Sequence, residues 1–257
     1  MIGLFDSGVG GLSVLKALIK NNINDDFIYF GDTKNVPYGT KTKEEILSYT
    51  KEIIEFFIKK NVDIAIMACN TSSALVYKEL NEKFFGKIKL FPLIQQVAPY
   101  FKDEKDIIGV ISTNATAKSM AYTKEITTLN KEAKIVELPC QDFVQIVEKR
   151  LYDDISSIEY IKGKMEYLKG AKCKKVILGC THFPYLVPIF KKFAPEIEFI
   201  DPANFLIQSL KKFNQNKEKQ VSTFKFYVSD NPENFKKSGS IFFDIKDDVS
   251  LVEFAKI

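Results

Sequence analysis

Short apolar runs alternate with helix-length amphipathic segments along most of this chain. Runs at residues 2–5, 27–31 and 63–68 have the length of buried strands, while residues 43–60 place most of their apolar side chains on one helical face. Strands that are joined through helices pair in parallel, and such sheets are covered by helices on both faces. The pattern therefore predicts an α/β fold with mainly parallel sheets.

The same order of segments restarts after residues 91–94, so we predict two similar α/β domains related by a pseudo-twofold axis, with a hinge near residues 93–96. The second half carries predicted strands at 106–111, 135–138, 175–179 and 197–200, and predicted helices at 115–129, 141–151, 155–169 and 185–193. A tail with a strand at 224–228, a helix at 231–237 and a strand at 241–245 is expected to return to the first domain. The predicted domains are residues 1–93 plus 206–257, which carry Asp6 and Cys69, and residues 94–205, which carry Cys180 and His182.

The composition is ordinary for a soluble globular protein, with 46% hydrophobic and 27% charged residues among 257. No apolar run approaches the ~20 residues that cross a bilayer, and the first residues lack the basic and apolar segments of a secretory signal. The net charge of +4 is too small to indicate nucleic-acid binding. We therefore expect a cytoplasmic protein with neither a membrane nor nucleic acid among its partners.

The chain has four cysteines and a single histidine. Without a secretory signal and at this length, the cysteines are expected to be free thiols rather than disulfides. Cys173 and Cys180 lie seven residues apart with His182 beyond them, which is not the close-paired spacing of structural zinc sites. No metal is predicted. Cys140 and Cys173 lack the setting of a strand end followed by polar residues, and we interpret them as structural.

Cys69 and Cys180 each end an apolar strand-like run, and each precedes a predicted helix start. Ligands of α/β proteins gather at the carboxyl ends of strands, and a helix N-terminus favours the thiolate form of cysteine. The polar residues that follow are Asn70 and Thr71 in the first case, and Thr181 and His182 in the second. A free cysteine is more often buried packing, but two thiols in matching settings predict one acid/base group on each side of a substrate. Such a pair suits the exchange of a proton between the two faces of one carbon, with the imidazole of His182 as a further acid/base group.

A glycine-rich segment at residues 5–13 follows the first strand and opens a helix, as nucleotide-binding loops do. Its third glycine position is Ser13, however, and Asp6 would repel a phosphate. We interpret the loop as a close backbone approach to a small ligand, with helix N–H groups for a carboxylate and Asp6 for an ammonium group or a nearby thiol. The alternative, in which Asp6 or Ser7 only caps the helix, stays open.

Another polar loop, at residues 31–39, follows the second strand and contains Pro37-Tyr38-Gly39. The tyrosine hydroxyl and a close backbone can meet a ligand there, although the motif by itself indicates only a turn. Arg150 is the only arginine, so several bidentate guanidinium contacts to a substrate carboxylate are excluded. Backbone N–H groups, hydroxyls and amides are expected to bind such a carboxylate.

Four motifs together resemble glutamate racemase, of the aspartate/glutamate racemase superfamily: residues 5–11 (FDSGVGG), 36–39 (VPYG), 68–71 (ACNT) and 179–184 (GCTHFP). The resemblance implies two α/β domains with the substrate in the cleft between them. It also implies the interconversion of L-glutamate and D-glutamate without a cofactor, and the supply of D-glutamate for peptidoglycan. Homodimers are common among such enzymes, so we expect one here.

The resemblance assigns roles to individual residues. Cys69 would take the α-proton from D-glutamate, and Cys180 would take it from L-glutamate. Asp6, His182 and Glu148 would assist the two cysteines. The residues that would bind substrate are Asp6, Ser7, Tyr38, Gly39, Asn70, Thr71, Thr116, Thr181 and His182.

Two other functions remain open on the sequence. One keeps the fold and changes the substrate to aspartate or another amino acid, and the glutamate-type pairs 70–71 and 181–182 argue against it. The other is a glutamate-binding sensor or a protein-binding module, which would need neither thiol. One departure from the family pattern is Ser112, where a glycine is usual, four residues before Thr116.

Overall fold

A computed structural model describes residues 1–213 and 221–254. The strands, in chain order, are β1 (Ile2–Asp6), β2 (Asp26–Gly31), β3 (Ile64–Met67), β4 (Lys89–Pro92), β5 (Ile107–Ser112), β6 (Ile135–Pro139), β7 (Cys173–Gly179), β8 (Glu198–Ile200), β9 (Thr223–Val228) and β10 (Val249–Leu251). The α-helices are α1 (Leu12–Lys20), α2 (Lys43–Lys59), α3 (Asn70–Lys83), α4 (Leu93–Val97), α5 (Asn114–Ser119), α6 (Ala121–Leu129), α7 (Asp142–Glu148), α8 (Ile155–Gly170), α9 (Val187–Phe193), α10 (Ala203–Phe213) and α11 (Pro232–Gly239).

The chain divides into two compact units, one formed by Met1–Leu93 with Ala203–Ile257 and the other by Ile94–Pro202. We expected the return to the first domain at residue 206. The structure has it at Ala203 because α10, which the sequence analysis did not assign, begins there and its contacts with α1 lie within the first unit. Residues 214–220 and 255–257 of the predicted first domain lie outside the described residues.

The first unit is built on a parallel sheet with the strand order β10-β9-β2-β1-β3-β4 among the described residues. Asp6 is in register with Gly31, and Phe5 with Met67, so the carboxyl ends of β1, β2 and β3 lie side by side. Helix α2 begins with a capping box, in which the Thr42 side chain accepts from the N–H of Glu45 while the Glu45 carboxylate accepts from the N–H of Thr42. The apolar side chains of α2 pack on this sheet in the core.

The second unit has a parallel sheet with the order β6-β5-β7-β8 in the described chain. Ser112 is in register with both Pro139 and Gly179, which aligns the carboxyl ends of β6, β5 and β7. The predicted α/β fold with parallel sheets is confirmed in both units. Each unit also presents one of the two motif cysteines just beyond a central strand end.

The single helix predicted at 115–129 is wrong, because the structure has α5 and α6 separated at Met120. Met120 adopts a left-handed conformation with φ of 54°. Polar groups replace the missing helical hydrogen bonds: the Ser119 hydroxyl accepts from the N–H of Ala121, and the Glu137 carboxylate accepts from the N–H of Thr123. Helix α7 likewise ends at Glu148, before the predicted 151, because Arg150 adopts a φ of 54°.

The strand predicted at 241–245 is also wrong. Phe242 and Ile245 are buried, as the apolar pattern required, but that segment is a turn after α11, and the N–H of Phe242 donates to the carbonyl of Gly239. The next strand is β10, which pairs in parallel with β9. The sequence analysis also missed β4, the strand beside β3. Within the described residues, no helix is long and apolar enough to cross a membrane.

Candidate active site

The carboxyl edge of the first sheet brings together three of the segments that the sequence singled out. Asp6 ends β1, the 31–39 loop leaves β2, and Cys69 follows β3 two residues after its end. The N–H of Asp32 donates to the carbonyl of Asp6 at 3.0 Å, and the N–H of Ala68 donates to the carbonyl of Phe5 at 3.0 Å, so backbone bonds continue just past the strand ends. These bonds fix the starting points of all three loops.

The glycine-rich loop folds back on Asp6. The carboxylate oxygen Oδ1 of Asp6 accepts from the N–H of Gly8 at 3.0 Å, and both residues are buried. The residue that caps α1 is Gly11, and that cap position has no side-chain hydrogen bond. The alternative in which Asp6 or Ser7 serves only as a helix cap is therefore wrong.

Cys69 occupies the cap position of α3, a helix of 14 residues. The side chain of Cys69 is 5% exposed, and its carbonyl accepts from the N–H of Ser73 and the hydroxyl of Ser72. Asn70 and Thr71 form the first turn of α3 and are buried. The partial positive charge of a helix N-terminus therefore lies directly beyond the thiol, where it stabilises a thiolate.

The hydroxyl of Tyr38 is engaged within the protein. It donates to the carboxylate of Asp32 at 2.5 Å, and the Asn35 amide and the Ser229 hydroxyl donate to the same carboxylate at 3.0 and 2.6 Å. Asp32 is 2% exposed, so these donors replace its hydration. We had interpreted the Tyr38 hydroxyl as a group that could meet a ligand. In the structure it bonds to Asp32 and holds the loop that carries Gly39. Asp32 was missed by sequence analysis, although an aspartate directly after a buried strand was a usable signal.

In the second unit, two polar side chains form a line behind the thiol of Cys180. The Sγ atom of Cys180 lies 3.6 Å from Nδ1 of His182, and Nε2 of His182 lies 3.0 Å from Oε1 of Glu148. His182 is buried, while the Glu148 side chain is 37% exposed at the end of α7. Of the three residues that the resemblance gave as assisting the cysteines, the structure therefore brings His182 and Glu148 together behind Cys180.

Burial alone would lower the pKa of His182, since it penalises the imidazolium. The hydrogen bonds and charges of Cys180 and Glu148 outweigh burial and raise the pKa of His182 to about 10. While Cys180 is a thiolate, the imidazole is therefore protonated at neutral pH, with the thiolate on one side and the carboxylate of Glu148 on the other.

The helix predicted at 185–193 is present as α9 (Val187–Phe193), but it begins seven residues after Cys180, so the helix N-terminus that we expected beside this thiol is not there. Thr181 and His182 form a turn, followed by a short 3-10 helix at Phe183–Leu186. Pro184 lies in the first turn of that helix, where a missing N–H costs nothing. The charge that faces the thiol of Cys180 thus comes from an imidazole rather than from helix N–H groups.

Thr116 lies on α5, just after β5 and beside the strand that leads to Cys180. Its hydroxyl is 3.1 Å from the hydroxyl of Thr113, and the side chain is fully buried. A Cβ atom added at Gly179 would come within 2.9 Å of the Cβ of Ser112. The unusual serine is therefore accommodated by close packing against the glycine that precedes Cys180.

All four cysteines are free thiols, which confirms that prediction. Burial raises the pKa of the Cys140 thiol to about 12 and also raises that of Cys173. Such thiols stay protonated and unreactive near neutral pH. Among the described residues, no group of three or more histidine, cysteine or acidic side chains is arranged to hold a metal ion.

Each of the two α/β units thus carries a buried cysteine just beyond the carboxyl end of a parallel strand, followed by polar residues. The sequence profile of the Asp/Glu/Hydantoin racemase family matches residues 7–210, and the chain belongs to this family. It is accordingly an enzyme of the isomerase class.

Several relatives that match nearly the whole chain at about 35% identity are named glutamate racemases, as the four motifs had suggested. Glutamate racemase 2 of Caldanaerobacter subterraneus subsp. tengcongensis is 36% identical, over 99% of this chain and 98% of its own. The glutamate racemase of Carboxydothermus hydrogenoformans is 36% identical, over 94% of this chain and 91% of its own. The structure of glutamate racemase from Francisella tularensis subsp. tularensis SCHU S4, in complex with D-glutamate, aligns with a TM-score of 0.89 at 31% identity, over 98% of this chain and 97% of that one. The resemblance to glutamate racemase is thereby confirmed.

Proposed function

We propose that this protein is a glutamate racemase that interconverts L-glutamate and D-glutamate by proton transfer at the α-carbon between two thiols. The observation that carries the proposal is the line from Cys180 through His182 to Glu148, because it gives a buried thiol its own acid/base partner. The similarity to glutamate racemases over nearly the whole chain supports glutamate as the substrate.

In the direction from D-glutamate, Cys69 acts as a thiolate and removes the α-proton. The Cys180 thiol then donates its proton to the opposite face of the carbanion, and L-glutamate results. No proton is gained or lost overall, but the two thiols have exchanged protonation states. Before the next turnover in the same direction, Cys69 must lose its proton, and we propose that Asp6 accepts it. Cys180 must regain a proton, which His182 supplies.

The carbanion is the costly species, since an amino-acid α-proton is far less acidic than a thiol. We propose that donors at the two strand edges bind the α-carboxylate and stabilise the charge as it develops. The donors in the first unit are Ser7, Gly39, Asn70 and Thr71; in the second unit they are Thr116, Thr181 and His182. Tyr38 contributes by holding its loop to Asp32, which leaves the Gly39 backbone as the contact from that loop.

Because two thiols supply both the base and the acid, the proposed reaction uses no cofactor. D-glutamate made in this way would serve peptidoglycan synthesis in the cytoplasm. We further propose that the active form is a homodimer. These assignments rest on the similarity to glutamate racemases.

The test is to incubate the purified, reduced protein with L-glutamate in deuterated water without added cofactor, and to follow optical rotation and α-deuterium uptake together. Loss of rotation with deuterium incorporation is the expected result, and D-glutamate should give the same end point. L-aspartate is assayed in parallel. Turnover of aspartate alone would keep the mechanism and change the substrate, whereas a folded protein that exchanges neither substrate would overturn the proposal in favour of a binding protein.

A further inference from the structure

Tyr29 lies on β2, and its hydroxyl reaches the glycine-rich loop. The side chain is 1% exposed, and its hydroxyl donates to the carbonyl of Gly8 at 2.8 Å. The N–H of the same glycine donates to the carboxylate of Asp6 at 3.0 Å. The phenol and the carboxylate are therefore linked through the two backbone polar groups of Gly8.

Gly11 shows how closely these groups are packed. A Cβ atom added at Gly11 would lie 2.7 Å from the Cβ of Asp6, 2.9 Å from the hydroxyl oxygen of Tyr29 and 3.0 Å from the Cβ of Ala68. No side chain fits at such distances unless its neighbours shift. The glycine thus lets the start of α1 lie against Asp6, the phenol and the residue that precedes Cys69.

The environment keeps the phenol neutral. Burial raises the pKa of Tyr29 well above its usual value, and the nearby charges of Asp6 and Cys69 raise it further. The ring is held by Phe235 and Phe226, whose centroids lie 5.7 and 6.3 Å away. Tyr29 therefore remains a hydrogen-bond donor in a fixed position throughout the neutral range.

We propose that Tyr29 is a positioning residue, which fixes Asp6 beside Cys69 through its bond to Gly8 so that the carboxylate can serve proton transfer at that thiol. The inference rests on the proposed racemase function and adds to it a residue that contacts neither substrate nor reacting atoms. It also gives the glycine-rich loop a role other than phosphate binding, since its glycines permit this close packing. A displacement of Asp6 by about 1 Å would suffice to slow the reaction strongly.

The first test compares Tyr29→Phe with Tyr227→Phe, a matched loss of one hydroxyl from a half-buried position on the same sheet. Tyr29→Phe should lower kcat/KM about tenfold. The loss must be equal in both directions because the equilibrium constant of a racemisation is unity. The discriminating measurement is the primary isotope effect on kcat/KM with α-deuterated substrates. It should rise for D-glutamate, whose proton goes to Cys69, and fall for L-glutamate; a merely structural defect would not separate the two.

A second pair of variants guards against a folding defect in Tyr29→Phe. Gly11→Ala pushes on Asp6 and Tyr29 and should give the same opposite changes in the two isotope effects. Gly163→Ala, where a new Cβ meets nothing within 4 Å, should match the wild type. If Tyr29→Phe and Gly11→Ala fold and retain wild-type isotope effects for both enantiomers, the positioning role is wrong.

Iodoacetamide alkylation, read by peptide mass, decides the question independently of turnover. The alkylation rate of Cys69 should rise about threefold in Tyr29→Phe, since a carboxylate that moves away from the thiol no longer repels the negative charge of the thiolate, while the rate of Cys180 stays unchanged. Equal changes at both cysteines, or none, would contradict the positioning role even if the wild-type protein proved inactive on glutamate. An inactive wild type with the expected alkylation change would overturn only the proposed function.

Discussion

Cys69 and Cys180 stand in near-identical sequence settings, yet the structure surrounds them with different charges. Cys69 has the N-terminus of a 14-residue helix directly beyond it and Asp6 on the neighbouring strand. Cys180 is followed by a turn and has His182 and Glu148 behind it. In the proposed mechanism the two thiols do the same chemistry in opposite directions, and they would be served by a helix dipole in one unit and by an imidazole in the other.

The difference matters because only one of these charges titrates. The dipole of α3 is fixed by the backbone and does not respond to pH, whereas the charge on His182 is lost once the pH passes its pKa of about 10. The Cys180 half should therefore govern the alkaline behaviour of the reaction, while the Cys69 half depends on the placement of Asp6.

The largest expected effect is the loss of either thiol. Cys69→Ser and Cys180→Ser should each lower racemisation by about 10³-fold or more, since a serine hydroxyl is a far weaker acid and a poor base at neutral pH. The measurement is the rate of optical rotation change with each enantiomer, and Cys173→Ala is the control. If one serine variant keeps wild-type activity, the symmetric two-thiol scheme fails and only the other cysteine is a base.

His182→Asn should lower kcat/KM by about 10²-fold, because it removes the acid/base partner of Cys180. The primary isotope effect should then rise with α-deuterated L-glutamate and fall with α-deuterated D-glutamate. Asp6→Asn should give the opposite pattern, since it acts on the Cys69 half. If both variants show the same pattern, the two settings do not serve separate proton transfers.

Glu148→Gln should move the alkaline limb of the pH–rate profile to lower pH. The pKa of His182 is about 10, above its usual 6.5, so its protonation stabilises the fold in full below about pH 6.5 and less and less as the pH rises to about 10. Glu148 is one cause of that shift, and without its charge the imidazolium is lost earlier. The measurements are kcat/KM against pH and urea unfolding at neutral and alkaline pH, with the exposed Glu159→Gln as control. An unmoved alkaline limb would show that His182 does not set it.

The smallest effect is expected from Thr42→Ala, which removes the capping box of α2 in the unit that carries Cys69. The free energy of unfolding should fall by about 1 kcal/mol, as measured in urea. Both isotope effects should stay at their wild-type values, because the change weakens the unit without touching the settings of either thiol. A change in one isotope effect alone would mean that general stability, rather than local placement, separates the two halves.

Much of the fold could be predicted because periodicity and turn residues agree with it. The strands that lead to Asp6, Cys69 and Cys180 are continuous apolar runs of strand length. Such runs are typical of parallel strands that are covered by helices on both faces of the sheet. The break at Met120 could not be predicted from local sequence. No glycine or proline marks it, and it depends on the carboxylate of Glu137, which is supplied by a separate strand.

The candidate site was predictable in its motifs but not in its connections. A glycine-rich loop with an aspartate suggests a ligand, and cysteines at strand ends suggest chemistry. The hydrogen bonds from Tyr38 to Asp32 and from Tyr29 to Gly8 could not be predicted. They depend on which strands are neighbours in the sheet. The helix N-terminus that we expected beside the Cys180 thiol is replaced by a turn and a 3-10 helix, which bring His182 against the thiol.

The parallel sheet that carries Cys69 is assembled from both ends of the chain, with β9 beside β2. Phe27 stacks on Phe224, and Tyr29 packs on Phe226. Residues of β9 therefore cover residues of β2, which the ribosome synthesises about 200 residues earlier. During synthesis on a ribosome, the edge of β2 and these aromatic rings must wait uncovered until the tail emerges, and they offer a surface to chaperones in that interval. The unit with Cys180 is one continuous stretch and can finish its core first. The two halves of the proposed catalytic pair are therefore completed at different times.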